Sequence, residues 1–259
     1  MSIEEQKEAY KSDKNSLCYW YPKIKELNIP TPRTVIIPLT RLEGLKWLEG
    51  KQDLSKQVRH NIETMAKELG YPLFMRTDEI SGKFDWASAC YVESPDRLFK
   101  NLATIIEHGE MADIMGLPLN AVILRKYLKP VYKFTAHRGM PVTKERRYFS
   151  RDGKYQCHHP YWFAKAINEG HHNPPLPKDW KMLLEEVNNE DTLSDPNGDA
   201  ERTLLKTYAE RATKALGGYW STDFLYAEDR WWLTDMALGD ISYHFENCTF
   251  APKDKLKFE

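Results

Sequence analysis

The chain reads as an α+β protein, and three stretches of its 259 residues predict this. "LSKQVRHNIETMAKELG" sets Val58, Ile62, Met65 and Leu69 on one helical face. "PLFMR" and "AVILRKYL" are apolar runs too short for such a helix, and each ends in cations. "GYWSTDFLYAEDRWWLTDMALGD" alternates its side chains about a short polar turn, as a hairpin does.

Taken in order, "SLCYWYPKIKELN" predicts a short helix, Pro30 and Pro32 a turn, and Thr34–Ile37 a strand that stops before Pro38. The helix around Val58–Leu69 closes on Gly70, a favoured position for glycine just past a helix end, with Pro72 beyond. A strand over Leu73–Met75 meets Arg76, and then come Ser81-Gly82-Lys83 and Asp85-Trp86. A strand follows around Ala87–Val92. The next helix has Ser94 as N-cap, Pro95 at the first helical position, and Leu98, Leu102, Ile105 and Ile106 on one side before Gly109. "AVILRKYL" is a strand, and "KERRYFSRDGKYQ" is a strand, a turn at Asp152-Gly153 and a second strand. Residues 168–200, acidic and broken by prolines, form an insert around a short helix. Thr203–Leu216 is a third long helix, stopped by Gly217-Gly218.

Composition excludes several classes. The chain is 41% hydrophobic with eight tryptophans, so it folds around a core. Its formal net charge of −1 provides no global field toward nucleic acid or an anionic membrane, so any anion site is local. The tryptophans therefore read as packing residues rather than base-stacking platforms. Four scattered cysteines without a C-x-x-C pair predict reduced thiols in a cytoplasmic compartment. The charged N-terminus has no secretory h-region, and no apolar run reaches the roughly 18–20 residues that span a bilayer.

In the last hairpin a three-residue loop, Glu228-Asp229-Arg230, would place Asp223 opposite Asp235 with Cβ atoms about 4.5–5.5 Å apart, where two carboxylates need a counter-charge such as Mg²⁺. A two-residue loop, Glu228-Asp229, would slip the register by one and put the two acids on opposite faces. Arg76, Lys83, Arg125, Lys126, Arg146 and Arg147 lie at or near strand ends. Singly each reads as a solvated cation; together with the acids they suggest a site for a nucleotide polyphosphate. Neither a P-loop nor a Rossmann glycine pattern is present. His158-His159 and His171-His172 have no cysteine or histidine at standard zinc spacing beside them and read as surface or core residues.

The order of these motifs resembles the ATP-grasp superfamily, in which two α+β lobes with antiparallel sheets clamp Mg-ATP. "AKELGYPLFMR" is similar to the segment that delivers a phosphate-binding cation, here Arg76 where lysine is usual. "SGK" with "DW" is similar to the phosphate-covering loop, and "LRKYL" to the interlobe hinge. "STDFLY" with "WLTDMALGD" resembles the strands bearing metal-binding acids. Within the superfamily the pattern most resembles the eukaryotic ATP-grasp protein that chaperones assembly of a translation initiation factor, through "VILRKYL", Glu145-Arg146-Arg147-Tyr148-Phe149 and Trp232–Asp235.

The resemblance implies a reduced N-terminal segment at 1–55, an N-lobe at 56–128, and a C-lobe at 129–259 with the insert near 168–200. It implies that Arg76, Lys83, Arg125, Lys126, Tyr127, Leu128, Glu145 and Arg147 bind ATP. Arg147 and Lys83 act on the reacting phosphate, and Asp223 and Asp235 hold Mg²⁺. Ala237 stands where the family has a metal-binding Asn, with Asp240 as a substitute through a bend. The implied activity is ADP-forming ligation of a carboxylate from a small molecule, peptide or protein to an amine or thiol through an acyl-phosphate. The alternatives are a nucleotide-dependent assembly factor, with the insert and exposed tryptophans as its partner surface, or a kinase.

Overall fold

A computed structural model describes residues 12–113, 119–189, 196–245 and 248–251. Parts of the expected N-terminal segment (1–11), of the insert (190–195) and of the C-terminal end (252–259) lie outside the described residues.

The first element lying wholly within the described residues is α1 (Leu17–Ile24), whose N-cap Ser16 accepts the Cys18 N–H at 3.1 Å. Ser16 also donates to Asp78 Oδ2 at 2.7 Å, and Asp78 Oδ1 accepts the backbone N–H groups of Asn120 and Ala121 at 3.0 and 3.1 Å. One fully buried carboxylate thus fastens α1 to two strand ends. Its burial raises the Asp78 pKa, with those hydrogen bonds pulling the other way.

Strands β1 (Thr34–Pro38), β2 (Leu73–Thr77), β3 (Tyr91–Val92) and β4 (Ala121–Lys126) form an antiparallel sheet in the order β1-β4-β2-β3. Helices α2 (Arg41–Leu48), α3 (Lys56–Leu69) and α4 (Leu98–Asp113) lie between these strands in the chain. Ile62 and Ala66 of α3, with Leu102, Ile105 and Ile106 of α4, cover one sheet face and bury Leu73, Met75, Val122 and Leu124. Each such side chain contributes roughly 1.5–3 kcal/mol. Because strand side chains alternate, Phe74, Arg76, Ile123 and Arg125 point to the other face.

Strands β5 (Tyr132–Ala136) and β6 (Met140–Thr143) make a two-stranded ribbon; β7 (Glu145–Arg151) and β8 (Lys154–Pro160) follow. After α5 (Ala164–Asn168), α6 (Trp180–Asn188) and α7 (Pro196–Leu216) come β9 (Tyr219–Ala227) and β10 (Arg230–Leu238), completing a second antiparallel sheet ordered β10-β9-β7-β8. One core joins the two sheets. Leu17, Trp20 and Ile24 of α1 pack with Ala121 and Ile123 of the first sheet, Phe224 and Leu233 of the second, and Leu205 and Ala209 of α7.

The hairpin differs from both sequence expectations. Its turn is the two-residue Glu228-Asp229, both residues at positive φ (51° and 58°), and pairs near it follow the slipped register, Leu233 opposite Phe224. A bulge at Thr234 then adds one residue, so Asp235 again faces Asp223. Leu233 and Met236 stay in the core while Asp235 is turned to the opposite face.

Other elements also depart from the sequence reading. The expected strand Ala87–Val92 shrinks to Tyr91–Val92, because Ala89 N–H bonds Asp85 O (2.8 Å) and Tyr91 N–H bonds Trp86 O (2.9 Å) in successive turns. Ser94 does not cap a helix; its hydroxyl donates to Asp96 Oδ1 at 2.6 Å before a 3₁₀ turn that leads into α4. The insert is anchored, since α6 buries Leu184 and Val187 and Arg146 donates to Val187 O and Asn189 O at 3.3 and 3.0 Å. None of the eight tryptophans is exposed, which removes them as a partner surface. Among the described residues no helix is long and apolar enough to cross a membrane.

Candidate functional site

The cation-bearing face of the first sheet looks across a cleft at the acids of the second. Phe74, Trp86, Tyr127, Leu128, Met140 and Leu225 give part of the wall an apolar surface, and Arg76, Lys83, Arg125, Glu145 and Asp235 form its polar part. An apolar pocket with a few convergent polar groups is the usual form of a small-molecule site.

Strand alternation delivers Arg76 and Arg125 together from neighbouring strands β2 and β4. Arg76 Nη1 pairs with Asp235 Oδ2 at 2.8 Å, while its Nε and Nη2 hold the carbonyls of Thr77 and Glu79 at 3.0 and 3.2 Å. Arg125 is 3% exposed and donates through Nη1 to the carbonyl of Thr234, the bulge residue. Its Nε and Nη2 have no hydrogen-bond partner among the described residues. Burial, and then the neighbouring Arg76 cation, push the Arg125 pKa down to about 9. A buried guanidinium with two unsatisfied nitrogens is a costly arrangement that an anion would relieve.

Lys83 comes from the Ser-Gly-Lys turn and reaches Glu145 Oε2 at 3.3 Å. Burial alone lowers its pKa, but Glu145, Asp223 and Asp235 outweigh that and hold it above the ordinary lysine value. The turn is clamped rather than free. Gly82 sits at φ 65° where a Cβ would fall 2.5 Å from Ile105 Cδ1, and Asp85 pairs with Arg138 at 2.8 Å. Thr77 Oγ1 accepts the N–H groups of Glu79 and Ile80 at 3.2 and 2.9 Å, fixing the start of the loop.

On the second sheet Arg147 Nε and Nη2 grip Asp223 Oδ1 and Oδ2 at 2.7 and 2.8 Å, a bidentate pair between adjacent strands. Tyr161 lies under both cations, 4.6 Å from Lys83 Nζ and 4.9 Å from the Arg147 guanidinium. Glu145 Oε1 accepts from Trp162 Nε1 at 3.0 Å. For Asp235, burial raises the pKa but Arg76, Arg125 and Lys83 reverse that and hold it below the usual carboxylate range.

Of the sequence-derived candidates, the structure brings Arg76, Lys83, Arg125, Lys126, Tyr127, Leu128, Glu145 and Asp235 to one cleft. Arg147 and Asp223 adjoin it: Asp223 pairs with Asp235 across β9 and β10, Arg147 pairs with Asp223 across β7 and β9, and the Arg147 guanidinium shares the Tyr161 ring with Lys83. Arg146 instead faces α6. Asp240 does not approach the paired acids: it is exposed, with Arg151 at 4.0 Å. The side chains present fit Mg²⁺. Asp223 and Asp235 oppose each other, each carboxylate retains lone pairs beyond its arginine bonds, and Mg²⁺ typically takes one or two carboxylates with waters and substrate phosphates making up the rest. Sequence reasoning missed Trp162 and Tyr161, which reach the site only because β8 runs beside β7.

No protein-family model and no curated protein sequence matches the chain. C-terminally truncated Cdc123 from Schizosaccharomyces pombe superposes with a TM-score of 0.57 at 13% identity, over 92% of this chain and 86% of that one. A second Cdc123 structure gives 0.54 at 13% identity, over 86% and 82%. D-alanine–D-alanine ligase from Bacillus anthracis complexed with ATP gives 0.48 at 15% identity, over 88% of this chain and 56% of that one. The chain thus spans little more than half the length of that ligase. The likeness is one of fold: two α+β lobes, each with a four-stranded antiparallel sheet, facing each other in the ATP-grasp arrangement that the sequence resemblance implied.

Proposed function

We propose that the cleft binds Mg-ATP and that the chain is an ADP-forming ligase joining a carboxylate to an amine or thiol through an acyl-phosphate. The observation that carries the binding part is the convergence of Arg76, Lys83 and Arg125, the last with two unsatisfied nitrogens, on one cleft that also holds Glu145 and Asp235. Phe74, Trp86, Tyr127 and Leu128 supply an apolar surface for a purine, next to the backbone of the Lys126–Leu128 segment. Asp223 and Asp235 would hold Mg²⁺.

Bound Mg-ATP supplies a γ-phosphoryl group that a substrate carboxylate accepts, releasing ADP and leaving an acyl-phosphate open to attack by the second substrate. Arg76 and Arg125 bind phosphate oxygens from the first sheet and neutralise their charge. Lys83 and Arg147 stabilise the charge that develops around the transferred group. The clamped Ser-Gly-Lys turn and Trp162 limit water, which would hydrolyse the intermediate.

The resemblance to an ATP-grasp assembly chaperone favours a second reading, a nucleotide-dependent binding factor without turnover. Isothermal titration of ATP with Mg²⁺ into the wild type and Asp235→Asn, followed by an ADP-release screen over acid and amine pairs, tests both. The ligase reading expects Mg²⁺-dependent binding, weakened about 10-fold or more in the variant, and ADP release with at least one pair. Binding without release across the panel favours the second reading, and no binding by the wild type ends both.

A further inference from the structure

Outside the cleft, the outer edge of the second sheet gathers four residues that the proposed function does not use. Cys157 and His159 alternate onto one face of the edge strand β8. Past β10 the chain turns through Gly239–Ile241 and returns His244 and Cys248 to the same place. The four ligating atoms all lie within 4.8 Å of one another. Cys157 Sγ is 3.5 Å from Cys248 Sγ and 3.8 Å from His244 Nδ1. A tetrahedral zinc with bonds of about 2.3 Å to sulfur and 2.0–2.1 Å to nitrogen sets its sulfurs ~3.8 Å apart and sulfur to nitrogen ~3.6 Å apart.

The orientation of His244 is a second, independent observation. Its Nε2 meets the Tyr219 hydroxyl at 3.1 Å, and its ring stacks on Phe149 with centroids 3.6 Å apart. With the Nε2 proton donated to Tyr219, Nδ1 presents a lone pair toward the thiols, the arrangement in which a metal-bound imidazole is usually held. Tyr219 is fixed in turn, since a Cβ on Gly239 would fall 2.5 Å from its ring. His159 stacks on Phe245 at 5.1 Å. A disulfide would need the sulfurs about 2.05 Å apart and would leave the two converging imidazoles unexplained.

We propose that Cys157, His159, His244 and Cys248 form a tetrahedral structural zinc site that fastens the segment after β10 to the edge strand β8. Two thiolates and two neutral imidazoles suit borderline-soft Zn²⁺, and the thiolates cancel its charge in a partly buried setting. With all four positions taken by protein the metal has no open site for substrate, so its contribution is to folding. Binding displaces the thiol protons, so affinity falls with acid. Neither half resembles a zinc motif by itself: C-x-H lies on a strand, and its partner H-x₃-C begins 87 residues after Cys157.

The test is elemental analysis of protein purified with reductant from zinc-replete medium, with Co²⁺ exchanged into the wild type. One zinc per chain and a Co²⁺ spectrum with thiolate charge-transfer and intense tetrahedral bands are expected. Zinc should be lost in Cys248→Ser and in His159→Ala and retained in Cys18→Ser, and chelation should lower the melting temperature until zinc is restored. The Co²⁺ spectrum needs no variant, so a misfolded mutant does not shelter the proposal. Absence of zinc from the wild type, an octahedral Co²⁺ spectrum, or a Cys157–Cys248 disulfide in the reduced-purified chain would overturn it.

Discussion

Replacing Arg125 with methionine should make the protein more stable and less able to hold ATP. The guanidinium is buried beside Arg76, lies 5.8 and 6.0 Å from the Trp20 and Tyr21 rings, and leaves two nitrogens unpaired among the described residues. A pKa moved from the ordinary 12.5 to about 9 corresponds to on the order of 4–5 kcal/mol against the charged form, an upper bound. Losing its bond to the Thr234 carbonyl gives back about 1.5–3 kcal/mol. Methionine fills similar space and keeps contact with the rings. The net expectation is a gain of about 1–3 kcal/mol, or a melting temperature higher by roughly 2–10 °C for a chain of this size. The same change should weaken Mg-ATP about 10- to 100-fold, the loss of a charge-assisted hydrogen bond. Scanning calorimetry and titration calorimetry on one preparation read both quantities. A variant that melts lower and binds ATP as the wild type does would show that Arg125 serves the fold and not a phosphate.

Three further outcomes are expected. The folded Asp235 carboxyl titrates below its unfolded value of about 3.9, so its stabilising contribution is present above that pH and is lost as pH falls through the lower folded pKa. Urea unfolding of Asp235→Asn should therefore lose less stability than the wild type on acidification below about pH 4, and parallel curves would contradict the pairing with Arg76. Gly82→Ala forces a side chain into Ile105 at a positive φ and should cost about 1–3 kcal/mol; in a double-mutant cycle with Ile105→Ala, itself a core truncation costing about 2–5 kcal/mol, the coupling should offset less than half of the Gly82→Ala cost, because the backbone strain remains. Asp223→Asn leaves the Arg147 guanidinium beside an amide and should destabilise by about 2–4 kcal/mol, with Asp223→Asn/Arg147→Met milder than the single change in a double-mutant cycle.

The sequence made the helices and inner strands readable because burial is one-sided there: Ile62 and Ala66 on α3, or Leu73 and Met75 on β2, leave one periodicity to choose. It also made the cations readable, since Arg76 and Arg125 interrupt apolar strands where a charge needs a reason. The hairpin was harder. A two-residue turn and a bulge at Thr234 offset each other, and no local pattern marks a bulge when Thr234 alternates as any strand residue would. The β5–β6 ribbon was missed because its turn runs through His137, Arg138 and Gly139, all at positive φ, and of these only Gly139 signals a turn. Tyr161 and the four residues at the sheet edge depend on pairings set by the whole fold, which spacing along the chain does not encode.

Trp20 and Ile24 belong to a core that takes in strands from both sheets. The first half also has a core of its own under α3 and α4, but this shared cluster belongs to both, and removing the first helix strips apolar cover from each at once. Denaturation should show a single cooperative step by tryptophan fluorescence and far-ultraviolet dichroism alike. Any opening that admits a nucleotide must then be a tilt about this shared pivot, in which the walls part while their roots stay joined.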